Sequence, residues 1–192
     1  MIPTPDFAYG KFKLGALSGS QIRRHQYEDT FCLEPTTGPE RLKIGARQPL
    51  QILLQLYWSI SEPLHLLYVL HTSRCGSKLG RYESPAVDRN AINQFTGEFY
   101  EFLTEDARHD LWILSPQSSA TLVLDRHDLI YAYGPLSEFQ SILQSNEIQE
   151  GEVSIPVPHS HHYHHEWDSA ELKVLSQFPW RFSPLLPQDQ QC

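Results

Sequence analysis

Three short apolar segments near the middle of the chain set the strongest limit on its fold. They cover residues 111–114, 121–124 and 129–133. Each is shorter than an ordinary helix, and the stretches between them, 115–119 and 125–128, consist of residues that favour turns. Short strands joined by short turns usually pair with their sequence neighbours in antiparallel fashion. The sequence therefore predicts a three-stranded antiparallel meander.

Helical patterns lie on both sides of this meander along the chain. The clearest follows Asp88, because apolar residues recur after it at spacings of three and four, as one buried helix face requires. Two further helices are predicted, one capped by Ser137 and one opened by a capping box of Asp168 and Glu171. Helices interspersed with an antiparallel meander predict an α+β fold, with the sheet covered by helices on one face.

The segment 49–60 fits two structures. Its polar residues Gln51, Gln55 and Ser59 are four apart, which gives one narrow polar stripe on a mostly buried helix that begins at Pro49. The same residues also alternate as a strand requires. The leucines, glutamines and initial proline favour the helix.

The remaining segments predict one domain over 1–192, with N-terminal strands and loops in 1–47 and the main body in 48–192. A chain of 192 residues, 40% of them hydrophobic, is large enough to bury a core without disulfides or metal. Further strands are predicted in 7–14, 26–33, 64–71 and 152–157, and a polar loop in 76–85.

Composition restricts the partners and the compartment. A net charge of −8 argues against nucleic acid, because phosphate binding depends on clustered Lys and Arg. The three cysteines are widely spaced, which indicates neither a disulfide framework nor a thiolate metal site and favours a reducing compartment. The N-terminal residues lack the pattern of a signal peptide, and no apolar run approaches the roughly 20 residues of a membrane span. We therefore expect a cytoplasmic protein without a membrane partner.

The segment 159–168 holds five of the ten histidines in the chain. Imidazoles and carboxylates are ligands for zinc-like divalent metals. In an extended chain, alternate side chains share a face. The candidate ligands fall into two such sets, with Asp168 as an additional candidate: His159 and His161 on one face, and His162, His164 and Glu166 on the other. The alternative is a connector whose histidines donate to backbone carbonyls and which needs no cofactor.

Part of this segment resembles known metal-binding patterns. His159 and His161, followed by Glu166, are similar to the ligand spacing of the cupins, although the flanking glycines are absent and a helix is predicted directly afterwards. The metallo-β-lactamase pattern departs at Tyr163, where that family has an aspartate. The zincin pattern would need a second histidine at the position of Ser169.

A second group of ionisable residues belongs to the meander. Arg108, His109 and Asp110 begin its first strand, and the turn 125–128 joins its second and third strands. In an antiparallel meander these two places meet at one end of the sheet. His109, Asp125 and His127 are therefore candidates for a general base and its orienting carboxylate. The alternative is ordinary turn chemistry, in which the arginines form surface ion pairs. If 159–165 also reached this end, histidines and carboxylates would converge there.

The phosphate-binding, dinucleotide-binding and serine-nucleophile motifs are missing from the sequence. In size, acidity and lack of catalytic motifs the chain is similar to bacterial immunity proteins, whose acidic surfaces bind basic toxins. This resemblance implies a noncatalytic protein-binding domain with a basic protein partner and no cofactor. The alternative is a metal-dependent hydrolase that uses the 159–168 segment.

Overall fold

The predicted meander lies at the centre of a nine-stranded sheet. The computed structural model describes residues 11–190. Its strands are β1 (Leu14–Ser18), β2 (Gln21–Arg24), β3 (Thr30–Glu34), β4 (Arg41–Gly45), β5 (His65–Leu70), β6 (Gly80–Glu83), β7 (His109–Ser115), β8 (Ala120–Leu124), β9 (Ile130–Tyr133), β10 (Gln149–Glu150), β11 (His159–His161) and β12 (Arg181–Ser183). Its helices are α1 (Pro49–Tyr57), α2 (Arg89–Glu98), α3 (Tyr100–Glu105), α4 (Leu136–Ser145) and α5 (Asp168–Val174), with short 3-10 helices at His165–Trp167 and Pro187–Gln190.

The strand order of the main sheet is β10-β3-β4-β9-β8-β7-β5-β6-β12, and a small second sheet has the order β11-β1-β2. In the main sheet all neighbours are antiparallel except β10 and β3. Leu122 at the middle of β8 pairs with Ile113 of β7 and Ala132 of β9, which confirms the meander.

Helices cover one face of this sheet, as predicted. Alternate side chains of the central strands, including Leu111, Ile113, Leu122 and Ile130, are fully buried in one cluster with leucines and phenylalanines of the helices. Helix α1 contacts β8 and helix α4 contacts β9. The α+β class is therefore confirmed, and β4 of the N-terminal part pairs directly with β9 of the main body.

Segment 49–60 is helical rather than extended. Leu50, Leu53, Leu56 and Tyr57 of α1 are all fully buried, and their spacing is that of one helix face. Pro49 occupies the first turn, where its missing N–H costs no hydrogen bond. In the second helical region, Asp88 caps α2 as predicted, since its side chain accepts from the Ala91 N–H at 2.8 Å.

The two other predicted caps are wrong. Helix α4 begins at Leu136 behind Pro135, whose ring fixes a helix-compatible φ, so Ser137 lies inside the first turn. Asp168 is itself helical at the start of α5. The carboxylate of Glu171 accepts from Arg108 instead of the helix N-terminus, because a buried guanidinium is the stronger donor.

Other predicted segments also differ from the structure. Segment 152–157 is not a strand, since Pro156 and Pro158 lack the N–H that a ladder needs, and β11 begins only at His159. The predicted loop 76–85 contains β6, which forms through backbone pairing with β5 and β12 rather than through an apolar pattern. The strand predicted over 7–14 lies largely outside the described residues, and that over 26–33 begins only at Thr30.

Strand β5 (His65–Leu70) confirms the strand predicted over 64–71. Among residues 11–190, no helix combines the length and apolar character that crossing a membrane requires.

His109 points into the helix-covered core. It is 1% exposed, and its ring stacks on Tyr68 and contacts the tilted ring of Phe102. Neither ring nitrogen has a hydrogen-bond partner among the described residues. Burial, aided by the positive charge of Lys13, holds the pKa of His109 well below its usual value, so the ring is neutral at pH 7.

We predict that His109 makes the fold less stable in mild acid. The unfolded chain takes up a proton on this ring near pH 6.5 whereas the folded chain does not, so stability is lost as the pH falls. Between about pH 7.5 and 5.5 the loss is roughly 1.4 kcal/mol. Urea unfolding of His109→Phe should show a pH dependence smaller by about this amount. The exposed-ring control His165→Ala should keep the dependence of the unmodified chain, and an unchanged dependence in His109→Phe would contradict the assignment.

Candidate metal centre

His127 is held in the turn between β8 and β9 by the carboxylate of Asp125. One oxygen of Asp125 accepts from the backbone N–H groups of His127 and Leu129, both at 2.9 Å. This is the side-chain-to-backbone bonding by which aspartate stabilises turns. The turn also meets the start of β7, as predicted, because the Arg126 N–H donates to Asp110 at 2.9 Å. The histidine ring is therefore fixed at one end of the main sheet.

His159 and His161 come from β11, which pairs with β1 in the small sheet. Leu14 lies opposite His161, and Ala16 lies opposite His159. Alternation along β11 places both rings on one face, as predicted, with their centroids 5.3 Å apart. The ring of His162 points elsewhere and lies 4.4 Å from Phe12.

The three rings of His127, His159 and His161 converge, and we call them the three-histidine cluster. The centroid of His127 is 5.3 Å from that of His159 and 4.7 Å from that of His161. One ligand nitrogen from each ring lies within 4.8 Å of the other two. The histidine-rich segment thus reaches the sheet end that carries Asp125.

Hydrogen bonds select the tautomer of two of these rings. Nδ1 of His159 is 2.9 Å from the carbonyl oxygen of Pro156, which can only accept, so Nδ1 carries the proton. Nδ1 of His127 is 2.8 Å from Asp125 Oδ2 in the same manner. With Nδ1 as the donor, Nε2 is the nitrogen of each ring that is left for a metal. A carboxylate or carbonyl behind the imidazole is the usual support of a metal-binding histidine.

His161 is the third ring that could offer a nitrogen lone pair to a metal. Its Nε2 is buried and has no hydrogen-bond partner within residues 11–190. Burial lowers the pKa of His161 to about 3, and the guanidinium of Arg126 acts in the same direction. The ring is thus neutral at pH 7, the form that binds metals.

The other predicted ligands are engaged elsewhere. His164 Nε2 is 3.1 Å from the carbonyl oxygen of Phe12, and His162 Nε2 is 3.0 Å from Ser160 Oγ. Glu166 lies beside Lys11 and His165. Asp168 binds the guanidinium groups of Arg74 and Arg108. Among the described residues only His127, His159 and His161 form a group with metal-ligand spacing.

The segment that follows β11 is anchored by a buried arginine. The side chain of Arg108 is 0% exposed, so the surface ion pair predicted for it is wrong. Its Nε donates to Asp106 at 2.7 Å and its Nη1 donates to Glu171 at 2.6 Å. Burial alone lowers the pKa of Arg108, but the bonds and charges of Asp106 and Glu171 outweigh it and raise the pKa. We call Arg108, Asp106 and Glu171 the buried ion cluster.

This cluster holds the chain between β11 and α5 by hydrogen bonds to the backbone carbonyl and the backbone N–H of His164. Arg108 Nη2 donates to the carbonyl oxygen of His164 at 2.9 Å, and Asp106 accepts from the His164 N–H at 2.8 Å. Two residues earlier, the carbonyl of His162 accepts from the Ala107 N–H at 3.0 Å. These bonds fix the exit of β11 and hence the position of His161.

Comparison with known proteins finds no family model, no curated protein and no solved structure that matches this chain.

We predict that the buried ion cluster contributes far more stability than a surface ion pair. Arg108→Met leaves two fully buried carboxylates without a counter-charge, which should cost about 3–5 kcal/mol in urea unfolding. The matched control is Arg181→Met, since the side chain of Arg181 is 79% exposed and pairs with Glu83. That variant should lose less than about 1 kcal/mol. Equal losses in the two variants would contradict the role given to Arg108.

Proposed function

We propose that this protein binds a zinc-like divalent metal at the three-histidine cluster and uses it as a metal-dependent hydrolase. The observation that carries the proposal is the convergence of three imidazoles, two of them oriented through Nδ1 by Asp125 and the Pro156 carbonyl. Neutral imidazole nitrogens are the ligands that borderline metals such as zinc prefer.

The spacing of the rings suits such an ion after a small adjustment. Tetrahedral zinc with nitrogens at about 2.1 Å brings those nitrogens to about 3.4 Å from each other. The ligand nitrogens of the cluster lie within 4.8 Å of one another. Closing them onto the ion thus needs a movement of no more than about 1.4 Å, which side-chain rotation supplies.

Three protein ligands favour catalysis over a purely structural role. Structural zinc sites usually have four protein ligands, whereas catalytic sites have three and a water molecule. At a site of this kind a water molecule would occupy the fourth position. The metal would lower the pKa of that water and supply hydroxide for attack on a carboxyl or phosphate ester. In this scheme Asp125 is a positioning residue, since it acts on the metal through His127.

We predict that untagged protein retains about one equivalent of zinc-like metal after dialysis. His161→Ala removes a ligand and should weaken metal affinity more than about 100-fold, while Asp125→Asn, which loses only the support of His127, should weaken it about 10–100-fold. Elemental analysis and competition with a chromogenic chelator measure both effects.

The control for this experiment is His165→Ala. The side chain of His165 is 77% exposed and belongs to the same segment without joining the cluster. Its metal affinity should equal that of the unmodified chain. Metal content that is negligible in the unmodified chain, or equal in His161→Ala and His165→Ala, would rule out the site.

The hydrolase activity is tested separately from metal binding. We predict that zinc-loaded protein hydrolyses p-nitrophenyl acetate or bis(p-nitrophenyl) phosphate. The rate should disappear with chelator, return with zinc, and fall at least about tenfold in His161→Ala. A metal-loaded protein whose rate on both esters equals that of His161→Ala would contradict the hydrolase while leaving the metal site intact.

The noncatalytic, immunity-type function stays a prediction from size and from the net charge of −8. Its basic protein partner and the cytoplasmic location stay predictions as well.

A further inference from the structure

Strand β2 is an open edge of the small sheet. It pairs with β1 on one side and has no neighbouring strand on the other among residues 11–190. All four residues of the strand, Gln21–Arg24, are exposed. A free strand edge presents backbone groups to which another chain can pair. This edge is therefore accessible to an added strand.

The bonds between β2 and β1 show which backbone groups face outward. The His25 N–H, directly after β2, donates to the Leu14 carbonyl at 2.9 Å. Alternate residues of an antiparallel strand bond to the same neighbour, so Arg23 also faces β1. Ile22 and Arg24 consequently direct their N–H and carbonyl groups outward, where no residue of 11–190 bonds them. The edge thus offers two donors and two acceptors.

An apolar strip reaches this edge on one face of the small sheet. Leu17 of β1 lies opposite Ile22 of β2, and the two residues are 52% and 54% exposed. Side chains directly opposite each other on neighbouring strands lie about 4.5–5.5 Å apart. An apolar residue opposite Ile22 on an added strand would therefore extend the strip and bury part of it.

Two arginines give the edge its charge. Arg23 and Arg24 are consecutive in the strand, so their side chains project to opposite faces. Neither forms an ion pair among the described residues, and Arg23 Nη2 donates to Gln21 Oε1 at 3.4 Å. Glu105 is near enough to Arg24 for the two charges to interact, but it lies outside ion-pair distance. Carboxylates opposite the two arginines on an added strand would pair with both.

We infer that β2 binds an extended acidic segment of another protein as an added strand. Its backbone pairs with Ile22 and Arg24, which gives affinity without regard to sequence. Its carboxylates lie opposite Arg23 and Arg24, and an apolar side chain lies opposite Ile22, which gives specificity. The inference uses no metal and does not depend on the proposed function.

Charge favours such a partner over a second copy of this chain. Two copies paired through β2 would bring four guanidinium groups, Arg23 and Arg24 from each, to one interface, and like charges on neighbouring strands are destabilising. The net charge of the chain is −8, so acidic peptides are repelled by most of its surface. An acidic peptide that binds therefore reports on a local basic site.

Fluorescence anisotropy with a labelled peptide tests the mode of binding. The probe is Ser-Val-Glu-Glu-Val-Ser with blocked ends, which places an apolar residue beside two glutamates in either strand direction. Replacing both glutamates by lysine should weaken binding at least about tenfold. Methylating the backbone nitrogens of both glutamates keeps the charge but removes donors to β2, and it should also weaken binding at least about tenfold. Equal binding of either altered peptide, or no binding of the probe at about 1 mM, would overturn the inference.

Substitutions locate the binding at β2. Changing Arg23→Gln and Arg24→Gln together should weaken the probe at least about tenfold. The matched control is Arg181→Gln, because Arg181 lies on another edge strand, β12, with a side chain that is 79% exposed. That variant should bind the probe as the unmodified chain does. Equal weakening by the control would show a general charge effect and overturn the inference.

A proline at position 22 tests the backbone contribution. Because the Ile22 N–H points away from β1, Ile22→Pro removes an outward donor and no bond within the sheet. Ile22→Thr loses a similar amount of apolar surface but keeps the N–H. The proline variant should bind the probe at least about tenfold more weakly than the threonine variant. Equal affinities, or a dimer of the unmodified chain that Ile22→Pro dissociates in sedimentation, would contradict an acidic partner strand at this edge.

Discussion

The buried guanidinium of Arg108 is the interaction on which the candidate site depends. It connects the start of β7 to α5 through Glu171 and to the histidine-rich segment through the His164 carbonyl. Removing such a charge from water is expensive, and only complete pairing offsets the cost. Asp106 and Glu171 provide that pairing from fully buried positions. These contacts therefore fix the path of the chain between β11 and α5.

The three-histidine cluster results from two local structures that are far apart in the chain. Asp125 closes a turn by accepting from two backbone amides and directs His127 with its second oxygen. Strand β11 then brings His159 and His161 to the same place by pairing with β1. Neither structure alone offers more than two imidazoles. Their meeting brings one ligand nitrogen of each ring within 4.8 Å of the other two, a spacing that could hold a metal ion.

The turn after β8 separates two polar regions. His127 belongs to the three-histidine cluster, whereas Asp128, the next residue, is ion-paired with Lys13 at 3.5 Å. Asp128 has a φ of 60°, a left-handed conformation that aspartate tolerates better than most residues. Two neighbouring residues of one turn thus have different surroundings, imidazole rings around His127 and an ammonium group beside Asp128.

The sequence by itself determined the meander, the helix after Asp88, the choice of helix for α1 and the shared face of His159 and His161. These features depend on residue periodicity and on turn propensity, which are local. It also marked Asp125 and His127 as candidates, but it gave equal standing to His109, His162, His164, Glu166 and Asp168. Only the tertiary structure shows which of them lie together, because their positions depend on the pairing of β11 with β1 and on the burial of Arg108 against Glu171. Such contacts join residues far apart in the chain, and no local pattern specifies which distant partner a strand or a charge will meet.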